Sequence, residues 1–303
     1  MTRFSQVKAS SMSIKSALLG LTLAAGLSLA IAAPVSAEEA EEMQPVRQNW
    51  SFAGILGSYD QVQLQRGFKI YQQVCSNCHA LSLISFRNLM DKSGPGFTEG
   101  QIKALAASYD KIKDMNDAGD IVDRKGRLSD AFPWAYPNAT AAAATLGVAP
   151  PDMSLLAKAR SYERGFPGFL LDMLPLTAYQ EKGVDYIYSL LVNGYVEPPK
   201  GYDLPAGTYY NAVYPGHKIA MANPLNLLFD EKTSKPGDPA FYDDKTVFTR
   251  EQAARDVSSF LMWAAEPKLE ERKRLGVKVM IFLAVFAFLL LLVKRRIWAN
   301  IAH

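Results

Sequence analysis

Both cysteines of this 303-residue chain and one of its three histidines fall in a single run, Cys75-Ser76-Asn77-Cys78-His79. Two thiols separated by two residues can reach the two vinyl groups of one porphyrin and become thioethers. A histidine beside the second cysteine is then held beneath the iron as an axial ligand. The run therefore reads as the attachment site of one haem c, bound through Cys75 and Cys78 with His79 on the metal. A redox-active disulfide could use the same cysteines, but no thioredoxin-like βαβ pattern surrounds them. A zinc half-site would need a second ligand pair that the sequence does not offer.

The sixth ligand of the iron decides between electron transfer and chemistry on a bound small molecule. The other two histidines are His217 and His303, and His303 lies beyond a long apolar stretch near the C-terminus. Methionine offers more choices: Met90, Met115, Met153, Met173, Met221 and Met262. Met90 and Met262 sit among apolar neighbours and read as core fillers. Met153 follows Pro150-Pro151, while Met221 follows Tyr214-Pro215-Gly216 and precedes Pro224, so either could face iron from a rigid loop. Spacing ranks Met221 ahead of His217 and leaves the choice open.

These residues need elements to hold them. Asp60 and Gln63 form a capping-box pattern that opens a helix over 61–75, with Leu64, Phe68, Tyr71 and Val74 on one face, and it feeds straight into the cysteines. Thr98 and Gln101 open another, with Ile102, Leu105, Ala106, Tyr109 and Ile112 at helical spacing. Thr249 and Gln252 open a third, with Ala253, Val257, Phe260, Leu261 and Ala264 inward until Pro267 stops it. A short helix is expected after Asp152 and another over 185–193, ending at Gly194. The stretches near Gly94-Pro95-Gly96, at 132–145 and at 195–224 read as long ordered loops, because aromatics run through them. Residues 114–125 superficially suggest a calcium loop, but Ala118 and Lys125 occupy positions that must supply oxygen. A mainly α fold follows: one c-type cytochrome domain with long loops wrapping the haem.

Two apolar segments point to a membrane. Residues 1–37 read as a removable export signal: Arg3, Lys8 and Lys15 precede an apolar stretch over 17–33, and Val35-Ser36-Ala37 offers small residues for cleavage. Residues 275–293 form a second segment of nineteen, interrupted by Gly276 and Lys278. At 1.5 Å per residue it reaches about 28 Å, close to the hydrocarbon thickness of a bilayer. Lys294, Arg295 and Arg296 follow it and belong on the cytoplasmic side. The expected organisation is a signal at 1–37, a head at 38–270, a transmembrane anchor at 275–296 and a cytoplasmic tail at 297–303.

The formal charge of +3, from 33 basic and 30 acidic residues, divides unevenly along the chain. The signal holds three basic residues and no acid, and the chain from Glu270 onward holds seven basic residues and two acids. The intervening head keeps 23 basic and 28 acidic residues, a net of −5. An acidic head suits the steering of a basic protein partner. Near-neutral composition without a run of five like charges excludes nucleic-acid binding by composition.

The residues resemble the cytochrome c1 family, the haem-bearing subunit of the quinol–cytochrome c oxidoreductase, or bc1 complex. The resemblance covers most of the expected mature chain. It rests on Trp50-Ser51-Phe52, Gly57-Ser58-Tyr59-Asp60 and Gln65-Arg66-Gly67 ahead of Val74-Cys75-Ser76-Asn77-Cys78-His79. It continues through Ala149-Pro150-Pro151-Asp152, Lys158-Ala159-Arg160 and Asp185-Tyr186-Ile187-Tyr188. Glu197-Pro198-Pro199, Tyr214-Pro215-Gly216, Trp263-Ala264-Ala265-Glu266-Pro267 and Arg272-Lys273-Arg274 complete it. The resemblance implies Met221 as sixth ligand, so that His79 and Met221 hold the iron. It also implies that Arg160 and Tyr186 lie near the haem, Arg160 pairing with a propionate. Family members often carry two prolines two and three residues after the methionine; here Asn223 takes the first position and Pro224 the second. A segment 161–183 longer than in mitochondrial relatives, with the short signal, implies a bacterial protein.

The implied function is one-electron transfer from the Rieske iron–sulfur protein through haem c to a cytochrome c. The implied partners are cytochrome b, the iron–sulfur protein, a cytochrome c acceptor and membrane lipid, in a dimeric complex of the bacterial inner membrane. The implied orientation puts the haem domain in the periplasm and the C-terminus in the cytoplasm. Alternatives are an anchored c-type shuttle serving an oxidase and a haem enzyme with an open sixth position.

Overall fold

Asp60 starts the first helix by accepting the backbone N–H groups of Val62 and Gln63 at 2.9 and 3.1 Å, which supplies partners for donors that a helix N-terminus leaves unpaired. The computed structural model describes residues 43–174, 179–229, 242 and 244–299; the signal expected over 1–37 and the end of the expected tail fall outside them. The helices run in the order α1 (Gln61–Gln73), α2 (Glu99–Ser108), α3 (Ala139–Leu146), α4 (Leu156–Ala159), α5 (Gly165–Asp172), α6 (Lys182–Val192), α7 (Arg250–Ala265) and α8 (Leu269–Trp298). Two antiparallel pairs interrupt them: β1 (Ile112–Met115) with β2 (Ile121–Arg124), and β3 (Tyr209–Tyr210) with β4 (Lys218–Ile219). The fold is mainly α, as the periodicity predicts.

Helices α1 and α7 make the most extensive contact in the head, and α6 and α4 pack against α7. The aromatic residues at the core meet there. Phe68 lies 5.6 Å from Phe260 and 5.8 Å from Phe132 between ring centroids, and Tyr71 and Trp263 also pack against Phe260. Such pairs add roughly 0.5–1.5 kcal/mol each beyond the area they bury. Asp256, wholly buried on α7, takes Arg66 Nε at 2.8 Å, Gln63 Nε2 at 3.1 Å and Gln252 Nε2 at 2.7 Å. Both glutamines that the capping-box pattern assigns to their own helix starts are thus drawn to one carboxylate. A buried charge needs its oxygens satisfied more than an exposed helix end needs a second cap. The Thr98 box, far from that carboxylate in sequence, closes in both directions.

The crossing of α1 and α7 is close because position 67 is glycine. A Cβ there would lie 2.1 Å from the Asp256 carbonyl oxygen and 2.7 Å from Phe260 Cβ. Gly67→Ala should therefore destabilise the head by about 1–3 kcal/mol through overpacking, outweighing the gain of up to about 1 kcal/mol in helix propensity. Gly100→Ala, with nothing within 4 Å, should keep that gain. Thermal unfolding of the two variants checks this: opposite shifts in Tm are expected.

Two sequence expectations differ from the structure. The Thr98 helix stops at Ser108, and Ile112 lies instead in β1, paired with Arg124. The turn between the strands explains it. Asn116 Oδ1 accepts the N–H groups of Ala118 and Asp120 at 3.0 and 2.8 Å, and Gly119 takes φ +88°, a conformation glycine adopts freely. The supposed loop at 132–145 contains α3, capped by Asn138 Oδ1 on the Ala141 N–H at 2.9 Å, because alanine carries the highest helix propensity. The segment 161–183 contains α5.

The expected anchor is the apolar part of a longer helix. α8 runs unbroken for 30 residues, about 45 Å at 1.5 Å per residue, and only Leu269 is buried. Its first turns are fastened to the head: Glu270 Oε1 accepts the Tyr59 N–H at 3.0 Å, and Lys273 Nζ donates to the Phe52 carbonyl at 2.5 Å. Glu266, just ahead of α8, pairs with Lys158 at 2.8 Å and with Arg272. The span is long and apolar enough to cross a bilayer.

Candidate haem-attachment site

Helix α1 ends at the motif by tightening. Cys75–Asn77 form a 3₁₀ turn in which Cys75 O accepts the N–H groups of Cys78 and His79 at 3.1 and 2.8 Å. Ser76 Oγ and Asn77 Nδ2 donate back to the Gln72 and Gln73 carbonyls at 2.7 and 3.1 Å, satisfying acceptors that the helix end exposes. Both thiols are unbridged. Burial, reinforced by the neighbouring Cys78, pushes the Cys75 thiol up to about 12. Catalytic disulfides need a thiolate, hence a lowered value, so this environment opposes the redox-disulfide reading.

His79 is oriented from behind. Its Nδ1 lies 2.8 Å from the Pro151 carbonyl oxygen. A carbonyl can only accept, so Nδ1 carries the proton and Nε2 keeps the lone pair that a metal requires. Burial holds the imidazole below its ordinary value, against the opposing pull of the Pro151 carbonyl and Asp152, and so favours the neutral ring. The Pro151 segment is in turn clamped to the chain that follows the motif. Met153 N donates to Ala80 O at 2.9 Å, and Leu83 N donates to Ser154 Oγ at 3.0 Å. Asp152 accepts Ser82 Oγ at 2.5 Å and the Ser154 N–H at 2.7 Å. Burial alone would raise the Asp152 carboxyl, but these bonds outweigh it and hold it below its usual range. Tyr71 Oη donates to His79 O at 3.3 Å, and Trp134 Nε1 to Cys78 O at 2.8 Å.

The candidate sixth ligands have different surroundings. Met153 is buried in the core, two residues past the Pro151 carbonyl that holds His79 Nδ1. His217 is buried, takes φ +59°, stacks on Tyr210 at 5.5 Å and has Nδ1 3.3 Å from Asn211 O, so it staples the β3–β4 corner. Met221 is half-buried just after β4, packed against the same core as Cys75, and Tyr195 Oη donates to its carbonyl at 2.9 Å. Asn223, where the family resemblance leads one to expect proline, has φ −59°, the value proline would fix. Its Oδ1 also accepts the Leu225 N–H at 3.1 Å, so a cap replaces the missing ring. Tyr186 is buried on α6, near enough to Tyr195 to raise that phenol's ionisation, after the larger effect of burial. Arg160 caps the end of α4, exposed and without a carboxylate partner among the described residues.

The donor set fits a covalently held haem: two unbridged thiols at the right spacing, a neutral imidazole with Nε2 available, and a thioether on a braced loop. Pro151, Trp134 and Tyr195 bond to His79, Cys78 and Met221, and no sequence signal assigns them those partners. The Ala149-Pro150-Pro151-Asp152 run marked the first of them, but nothing in the sequence joins its carbonyl to a ring 72 positions away.

A model of the Cytochrome C1 family matches residues 50–301. Cytochrome c1 of Blastochloris viridis is 43% identical over 269 residues, covering 88% of this chain and 91% of that protein. Cytochrome c1 of Rhodospirillum rubrum is 40% identical over 298 residues, with 93% and 97% covered. A protein called cytochrome b/c1 from Bradyrhizobium diazoefficiens is 45% identical over 289 residues, 95% of this chain, which spans only 40% of that protein's length. A match across nearly all the described head and α8, joined to a thiol pair and histidine in ligand-ready form, makes this chain a member of the cytochrome c1 family.

Proposed function

We propose that this chain is the electron-transfer haem subunit of a bc1 assembly, taking electrons from the Rieske iron–sulfur protein and passing them to a cytochrome c. Membership of the cytochrome c1 family supports the reading. The observation that carries it is the Pro151 carbonyl on His79 Nδ1, which prepares Nε2 as a permanent ligand. One haem c, bound there, supplies one-electron iron chemistry. Cys75 and Cys78 would hold the group as thioethers, and His79 Nε2 and Met221 Sδ would both ligate its iron, leaving no open position for a small molecule. Arg160 offers a guanidinium to a propionate, and Tyr186 adds an apolar face with a polar end. The surrounding core keeps water out and limits the rearrangement that accompanies a change of charge.

The anchor sets the topology in this proposal. Lys294, Arg295 and Arg296 stay cytoplasmic by the positive-inside rule, which leaves the head in the periplasm of a bacterial inner membrane. Cytochrome b neighbours the anchor, the assembly is dimeric, and the acidic head steers a basic cytochrome c. Purification in mild detergent tests the assembly. Cytochrome b and the iron–sulfur protein should copurify, and quinol should reduce the haem only in their presence. Isolation of the chain alone from its native membrane, still reduced by quinol dehydrogenases and oxidised by an oxidase, would favour the shuttle instead.

A further inference from the structure

A groove opens where α8 leaves the head, on the side covered by the loop between Phe52 and Tyr59. Its volume is about 320 Å³, and the loop lines it with Ile55 and Leu56. The helix lines it with Val277 and with Lys273, Arg274 and Lys278. Leu56 is 88% exposed and Ile55 52%, although the neighbouring Phe52 is fully buried. Two adjacent apolar side chains at a loop tip are held out of the core beside a membrane-spanning helix.

The depth of the groove follows from the helix. Arg274 directly precedes the apolar span over 275–293, and Val277 and Lys278 lie in the first turn of that span. The groove therefore sits at the headgroup layer, which adds about 5–8 Å on each side of the hydrocarbon. Its cations have unequal duties. The Lys273 ammonium is occupied by the Phe52 and Gly57 carbonyls at 2.5 and 3.4 Å, and burial lowers its pKa. Glu270, the acid lining the groove, spends Oε1 on the Tyr59 N–H at 3.0 Å and Oε2 on Arg274 Nη2 at 3.3 Å. Arg274 keeps a side chain 77% exposed, with donors beyond that single bond. Lys278 lies four residues on, hence one turn along the same flank, and has no carboxylate partner among the described residues.

We propose that this groove binds the headgroup of an anionic phospholipid from the leaflet on the head side. The phosphate lies between Arg274 and Lys278, and the upper acyl chain lies against Leu56 and Val277. A guanidinium and an ammonium one helical turn apart match a phosphodiester's oxygens, while Val277, in the first turn of the apolar span, lies at the depth where acyl chains begin. The space suits a headgroup and glycerol but not a helix about 10 Å across. The proposal rests on α8 as a membrane span and is independent of the haem.

The experiment is native mass spectrometry of the full-length haem-loaded protein in mild detergent, stripped of lipid and titrated with phosphatidylglycerol or phosphatidylcholine. One phosphatidylglycerol should bind saturably and in preference to phosphatidylcholine. Arg274→Gln with Lys278→Gln should weaken it about tenfold or more through loss of two charged contacts, and Leu56→Ser should weaken it less, all with an unchanged haem spectrum. Equal retention of both lipids, full retention by the double variant, or displacement by inorganic phosphate as effectively as by phosphatidylglycerol would each overturn it. So would absence of the bound lipid from the intact complex with a segment of another subunit filling the groove. Alkaline carbonate extraction of native membranes reports separately on the anchor: release of the chain would overturn α8 as a span.

Discussion

Met221→Leu should lower the midpoint potential of the haem by on the order of 100 mV or more while leaving it covalently attached. Axial ligation spans about 0.8 V across haem proteins, and a thioether opposite imidazole raises the potential. Leucine keeps the size of the side chain and removes only its sulfur, so the Tyr195 bond to the residue-221 carbonyl should survive. The variant should also lose the methionine–iron charge-transfer band and begin to bind carbon monoxide when reduced. Optical redox titration gives the first result and difference spectroscopy the others. Met153→Leu and His217→Gln serve as comparisons. Met153 shares the segment that backs His79, and His217 is stacked on Tyr210, so neither should bring about carbon monoxide binding. A normal potential in Met221→Leu, with the charge-transfer band lost in Met153→Leu, would reverse the ligand assignment.

The second large effect is on attachment. With Cys75→Ser and Cys78→Ser together, no haem should remain on the chain after denaturing electrophoresis, whereas each single variant keeps one possible thioether. His79 and Met221 are untouched in the double variant, so loss of the haem stain reports the thioethers rather than the axial ligands. The haem-free chain also offers a chemical check. A Cys75 thiol pushed up to about 12 by burial holds little thiolate at neutral pH, so alkylation there should lag far behind that of a free cysteine peptide. Rapid alkylation, or a haem stain that persists in the double variant, would contradict the attachment geometry.

Much of the site was written locally. Cys75, Cys78 and His79 lie within five positions, and the helix feeding them is announced by Asp60 and by Leu64, Phe68 and Tyr71 at helical spacing. The starts at Thr98 and Thr249 are legible for the same reason: a cap joins groups two or three residues apart. The anchor is legible because its length and composition answer to the bilayer, not to another part of the chain. The failures were also local in origin. Helical spacing carried the reading through Ile112, but an Asn116 turn with Gly119 made a hairpin more favourable there.

The sequence by itself determined the haem-attachment motif, the principal helices and a segment long and apolar enough to cross a membrane. Tertiary structure alone decided which carbonyl orients His79, which carboxylate claims Gln63, and how the first turns of α8 are fastened to the head. Those partners are separated by 72 positions for His79 and Pro151, 193 for Gln63 and Asp256, and 211 for Tyr59 and Glu270. Caps, turns and thiol spacing are fixed by bonds within one or two turns of backbone, so a pattern encodes them. A contact between remote segments depends on how every intervening element packs, and a buried carboxylate or imidazole takes whichever partner that packing delivers.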